Sequence, residues 1–148
     1  MNGTVSFVYD KLGRVTSTTD VWAQVINYTY DVNGRRTKLS FGSTTKASYT
    51  YDKINRLTKI ADGSNLATTY AYDVASRPTS RTLPNGVVTA YNYDGLDRLT
   101  RLKDAKGTSV IADNNYTYND AGNIIQNVDQ SGTHAYGYDV LDRLTAAS

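Results

Sequence analysis

The chain has 148 residues, 39% of them hydrophobic, with 16 basic against 14 acidic side chains and no cysteine. The length fits one domain, but the aliphatic share is too thin for a thick two-layer core, and disulfides and thiolate metal sites are excluded. Cations and anions recur together, which makes a poor phosphate-tracking stripe, and no apolar run approaches the roughly 18 residues of a membrane span.

From the first residue onward, Met1-Asn2-Gly3-Thr4 carries neither the basic nor the apolar region of a signal peptide. The expectation is a processed product, an excised fragment, or export by another route. The first aromatic strand signal follows at Phe7, and it recurs at Tyr28, Tyr49, Tyr70, Tyr91, Tyr116 and Tyr136. All 13 tyrosines and Phe7 fall at positions 1 and 3 of this unit. Small or β-branched residues such as Val8, Thr29 and Thr50 lie between the two aromatics, which is a period-two strand signal. A fixed register over the whole chain defines a repeat array, expected to be a single one over residues 1–148.

Position 4 is Asp10, Asp31, Asp52, Asp73, Asp94, Asn119 and Asp139, and position 7 is Gly13, Gly34, Asn55, Ser76, Asp97, Gly122 and Asp142. Asp or Asn accepts bonds from backbone N–H groups just ahead, and Gly, Asn and Asp tolerate positive φ. The pair predicts a type I turn closed by a left-handed residue, with Ser76 the least comfortable fit. Position 8 is Arg14, Arg35, Arg56, Arg77, Arg98, Asn123 and Arg143, and a returning strand follows. Asp and Arg are lost together at Asn119 and Asn123, as a paired Asp and Arg would show. Pro78 removes a ladder donor and predicts a local bulge or weak pairing.

A second turn links each returning strand to the next aromatic one, marked by Gly42-Ser43, Asp62-Gly63-Ser64, Pro84-Asn85-Gly86, Lys106-Gly107 and Ser131-Gly132. The first copy has Asp20-Val21-Trp22-Ala23 instead, and the fifth has a longer link through Asp113-Asn114-Asn115, expected as a loop or bulge. The reading is all-β: about seven hairpins in a continuous antiparallel sheet, strongly curled because wide sheets twist. If position 4 opposes position 8, one face collects the aromatics and the Leu/Val/Ile column, and the other collects Asp, Arg and Thr. The aromatic face must then curl inward, pack on a layer, or meet another molecule.

The unit strongly resembles the YD repeat of RHS proteins. Tyr49-Thr50-Tyr51-Asp52-Lys53-Ile54-Asn55-Arg56-Leu57-Thr58 is close to a consensus copy, as is Tyr91-Asn92-Tyr93-Asp94-Gly95-Leu96-Asp97-Arg98-Leu99-Thr100. The family includes bacterial polymorphic toxins, the C component of insecticidal toxin complexes, and teneurins. The resemblance implies a β-ribbon that spirals into a hollow shell, a secreted or cell-surface location, and an enclosed effector in the toxins. The chain is too short for a closed cocoon and lacks the family's self-cleaving core segment and effector domain.

No catalytic, cofactor-binding or metal-binding residue is assigned, and no reaction is expected. His134 is the only histidine, so neither a triad nor a histidine metal pair assembles around it. The Asp column suggests calcium, but each Asp of the column brings an Arg four residues later. The leading expectation is a structural wall module, either a shell segment or a self-assembling ring or filament subunit pairing through open sheet edges. The alternative is an adhesin-like module that binds surface glycans through its tyrosines.

Overall fold

A computed structural model describes residues 3–148, so the reading of Met1 and Asn2 lies outside the described residues. The described residues form fourteen strands: β1 (Ser6–Tyr9), β2 (Val15–Thr19), β3 (Val25–Tyr30), β4 (Arg36–Phe41), β5 (Thr44–Tyr51), β6 (Leu57–Asp62), β7 (Ala67–Tyr72), β8 (Pro78–Thr82), β9 (Val87–Tyr93), β10 (Leu99–Lys106), β11 (Ser109–Tyr118), β12 (Ile124–Asp129), β13 (Gly132–Tyr138) and β14 (Leu144–Ala147). They pair antiparallel in sequence order, from β1 to β14. Two compact units divide the chain, Met1–Thr69 and Tyr70–Ser148, with the division at the first tyrosine of the fourth copy.

The expectation of a strongly curled sheet does not hold: the sheet is neither closed nor strongly curled, and β1 and β14 stand at the ends of its order. The physical reason lies in how the aromatics are covered. Among the described residues only Ser40, Ala61 and Thr89 are buried, so there is no inner layer for the sheet to wrap. The rings of Tyr30, Tyr51, Tyr93 and Tyr118 are covered locally, by the preceding copy, as described below.

Within each copy the predicted turn forms. Asp31 N–H donates to Arg35 O at 2.9 Å and Gly34 N–H to Asp31 O at 3.1 Å, closing a type I turn with one left-handed residue. Position 7 has positive φ in every copy, including Ser76 at 66°. Asp20 and Asp62 build the same turn at the opposite end of the strands, where Ala23 and Asn65 take the left-handed place. Gly42 and Gly107 instead open two-residue loops, at φ 52° and 57°.

Position 3 faces position 9, as expected: Tyr9 pairs Val15, Tyr51 pairs Leu57 and Tyr93 pairs Leu99. A bulge comes next. Thr50 pairs Lys59, so Thr58 at position 10 is the extra residue. The same skip falls on Thr16, Thr37, Thr100, Ile125 and Thr145. Thr58 Oγ1 donates to Thr50 O at 3.1 Å, which gives the recurrent threonine a role that its β-propensity alone did not suggest.

Because of that skip, position 12 joins the aromatic face. Leu39 pairs Tyr28, Ile60 pairs Tyr49 and Leu102 pairs Tyr91. Pro78 is the first residue of β8, a position where a missing donor is tolerated. The long fifth link is absorbed into longer strands, β10 and β11, with a bulge between Asp104 and Ala105, and it makes no irregular loop.

Candidate functional site

The chemistry-bearing residues of each copy are the Asp, the Arg and the second tyrosine. Asp31 Oδ1 accepts the backbone N–H of Asn33 at 3.0 Å and of Arg35 at 2.9 Å, while Oδ2 accepts Arg35 Nε at 2.6 Å. The carboxylate therefore makes the turn with one oxygen and holds the guanidinium with the other. Asp10, Asp52, Asp94 and Asp139 repeat all three bonds.

These bonds favour the ionised form and hold the carboxyls below the usual range. In Asp10, Asp94 and Asp139 the backbone N–H of the following arginine is the largest cause. In Asp31, Asp52 and Asp73 desolvation is the largest single effect and pushes upward, but the arginine's bonds and charge together outweigh it.

The arginine does more than pair with its own Asp. Arg14, Arg35, Arg77 and Arg98 lie over the rings of Tyr30, Tyr51, Tyr93 and Tyr118, each 4.7 Å from the centroid. Each ring belongs to the next copy. The same guanidinium donates through Nη1 to the next copy's position-4 carbonyl: Arg14 to Asp31 O at 3.2 Å, Arg35 to Asp52 O at 3.1 Å, Arg98 to Asn119 O at 3.0 Å. The tyrosine answers in reverse. Tyr30 Oη donates to Val15 O at 2.8 Å, Tyr51 Oη to Arg36 O at 2.9 Å and Tyr118 Oη to Leu99 O at 2.6 Å.

Two adjacent copies are thus clasped at one end of their strands by a guanidinium held from behind by a carboxylate and capped in front by a phenol ring. Burial under this clasp pushes the Tyr93 and Tyr118 phenols up, outweighing the pull of Arg77 and Arg98 in the other direction.

The clasp corrects the expected division of faces. Arg and Asp do not occupy a face opposite the aromatics; the guanidinium lies on the tyrosines. The turn sets position 8 beside the hairpin end, from which the long arginine side chain reaches sideways to the neighbour's ring.

Position 7 adds a further bond where it carries an acceptor. Arg35 Nη1 donates to Asn55 Oδ1 at 2.8 Å and Arg77 Nη1 to Asp97 Oδ1 at 2.6 Å. The copy that lost both charges keeps the framework: Asn119 Oδ1 accepts Asn123 N–H at 2.9 Å, and Asn123 Nδ2 reaches Asp142 Oδ1 at 2.7 Å. The joint replacement at Asn119 and Asn123 preserves the turn and the reach to the next copy while giving up the cation.

Outside the clasp, several polar groups bind one another. Arg101 Nε donates to Asp113 Oδ1 at 2.7 Å between β10 and β11, inside the longer link. His134 Nε2 lies 3.1 Å from Ser131 Oγ and 3.4 Å from Asp129 Oδ1. One ring nitrogen makes both contacts and the serine hydroxyl bonds the carboxylate directly, so the ring cannot relay a proton from serine to aspartate. The Ser131 hydroxyl and backbone N–H bring the Asp129 carboxyl down to about 2. Among the described residues no three His, Cys, Asp or Glu side chains gather to hold a metal ion. No helix is long and apolar enough to cross a membrane.

A 14-strand antiparallel sheet built from clasped hairpins defines a β-repeat ribbon. The family model of the teneurin YD-shell matches residues 2–111, and the chain belongs to that YD-shell family.

Solved structures carry the same fold. The Tc holotoxin pore of Photorhabdus luminescens aligns over 97% of this chain at 21% identity with a TM-score of 0.56. The TcdB2-TccC3-Cdc42 crystal structure aligns with the same values, and the TcdB2-TccC3 crystal structure aligns at 20% identity with a TM-score of 0.54. The chain spans 7% of the length of each of those chains. No curated protein sequence matches it significantly.

Proposed function

We propose that the chain is a wall module: a run of YD repeats that forms part of a shell and performs no reaction of its own. The observation that supports this most is the clasp. The Arg and Tyr that would be free to bind a ligand are spent on holding one copy to the next. The partners fitting this reading are adjoining YD repeats at the sheet edges and an effector enclosed by the complete shell, in a secreted or cell-surface setting. The whole chain serves as one array in this role.

A glycan-binding surface is the competing reading, favoured by a groove of about 280 Å³ lined by Tyr116, Ile124, Asn127, Tyr136, Tyr138 and Leu144. A glycan array and a broad-specificity protease digest of the purified chain separate the two. The wall reading expects no glycan signal and slow cleavage. A reproducible glycan signal that disappears in Tyr136→Ala would overturn it in favour of the adhesin.

A further inference from the structure

Copies four and five show in full how a guanidinium is received. Arg77 lies over the Tyr93 ring at 4.7 Å, and its Nη1 donates to Asp94 O at 3.4 Å and to Asp97 Oδ1 at 2.6 Å. Ring, carbonyl and carboxylate all belong to copy five and meet the cation from three directions.

Copy seven repeats the receiving residues, with Tyr138, Asp139 and Asp142 where copy five has Tyr93, Asp94 and Asp97. Its turn is built alike. Asp142 N–H donates to Asp139 O at 3.0 Å, against 3.2 Å from Asp97 to Asp94, and Asp142 takes φ 59° where Asp97 takes 64°. Tyr138 Oη is anchored on Ile124 O at 2.9 Å, as Tyr118 Oη is on Leu99 O.

What differs is one internal residue. Copy six offers Asn123 at position 8, between β11 and β12, and its neutral amide reaches Asp142 Oδ1 at 2.7 Å without bringing a charge. Among the described residues no cation lies over Tyr138 or pairs with Asp142, and Asp139 O accepts no side-chain donor. Asp142 is exposed and Tyr138 lines the groove of about 280 Å³, so both can be approached from solvent.

We infer that the junction of copies six and seven receives an arginine side chain of another protein, its guanidinium stacking on Tyr138, donating to Asp139 O and pairing with the Asp142 carboxylate. The occupant follows from the internal examples: on Tyr30, Tyr51, Tyr93 and Tyr118 the group that covers the ring is a polypeptide arginine. An ammonium would serve less well, being a point charge rather than a plane with several donors. A neutral sugar would leave the Asp142 charge unmatched. The inference goes beyond the wall reading, which needs no partner at this junction.

A blocked Gly-Arg-Gly peptide, titrated against the full chain and followed by heteronuclear NMR, tests it. The backbone amides of Tyr138, Asp139 and Asp142 should shift saturably, and the Gly-Lys-Gly counterpart should bind about fivefold more weakly. Asn123→Arg supplies the cation from within the chain, so it should abolish the response and raise the melting temperature. Asp142→Asn suits the left-handed position and should weaken peptide binding by about fivefold.

No saturable shift at these amides, an equal response to the lysine peptide, or an unchanged response in Asn123→Arg would each overturn the inference. Binding indifferent to Asp142→Asn would do the same, even if the new arginine disturbed the fold. The glycan array turns on Tyr136 and the protease digest on the wall, so the wall reading stands or falls separately.

Discussion

At the scale of single residues, Arg35 and Arg77 each answer to four neighbours at once, and this is why lysine is a poor substitute. A planar guanidinium stacks on a ring while its N–H groups bond a carboxylate on one side and a carbonyl on the other. A lysine ammonium offers no face to stack and no fork. Arg35→Lys should therefore lower the melting temperature by nearly as much as Arg35→Ala, as differential scanning calorimetry would show. A double-mutant cycle between Arg35→Ala and Tyr51→Phe should retain part of the coupling, because the phenyl ring still accepts the cation. Stacks of this kind contribute about 0.5–1 kcal/mol at exposed sites.

The aspartates set a pH dependence. Their folded pKa values are depressed, so their contribution is complete above the unfolded value near 3.8 and is lost as pH falls through the folded values. Chemical denaturation midpoints should stay flat from neutrality to about pH 4 and then fall toward pH 2. Asp10→Asn, and likewise Asp94→Asn, should flatten part of that descent.

At the scale of the hairpin, position 7 carries two demands, positive φ and a bond from the preceding arginine, and no single residue serves both without cost. Gly34 satisfies the first at φ +81°, yet a Cβ there would lie 3.7 Å from Arg14 Nη1, where an amide could accept. Gly34→Ala should destabilise the chain by about 1 kcal/mol through the left-handed backbone alone. Gly34→Asn should recover that loss, since Asn55 already occupies the equivalent place and accepts Arg35 Nη1. Denaturant titration of the two variants distinguishes backbone strain from the new bond.

Much of the hairpin was legible in the sequence, because turn residues act through local geometry that recurs with the period. Asp at position 4 and Gly, Asn or Asp at position 7 spelled out the turn, and Tyr51 opposite Leu57 followed from counting. The skipped threonine did not show, since Thr58 reads as an ordinary strand residue until its Oγ1 finds Thr50 O. The bulge in turn moved position 12 onto the aromatic face, which alternation alone could not reveal. The arginine stack escaped for another reason: Arg35 and Tyr51 are far apart in sequence, and only the pairing of successive copies brings them together.

For the molecule as a whole, only Ser40, Ala61 and Thr89 are buried among the described residues, so stability should grow with the number of clasped neighbours rather than with a core. Removing one full period, Tyr28–Ser48, would place Tyr49 directly after Asn27 and let Arg14 meet Tyr51 in the register it already uses with Tyr30. Such a chain should keep its β circular dichroism and melt cooperatively a few degrees lower. Removing about half a period should abolish cooperative melting, because every later side chain changes face.

Strand order that follows chain order has a mechanical consequence. Force applied to β1 and β14 would act across the ladder, opening main-chain bonds in turn like a zipper rather than shearing many together. Each 21-residue period released would lengthen the chain by roughly 70 Å at full extension. A sheet joined this way resists side-chain attack along its length and yields to a pull at either end, one hairpin at a time.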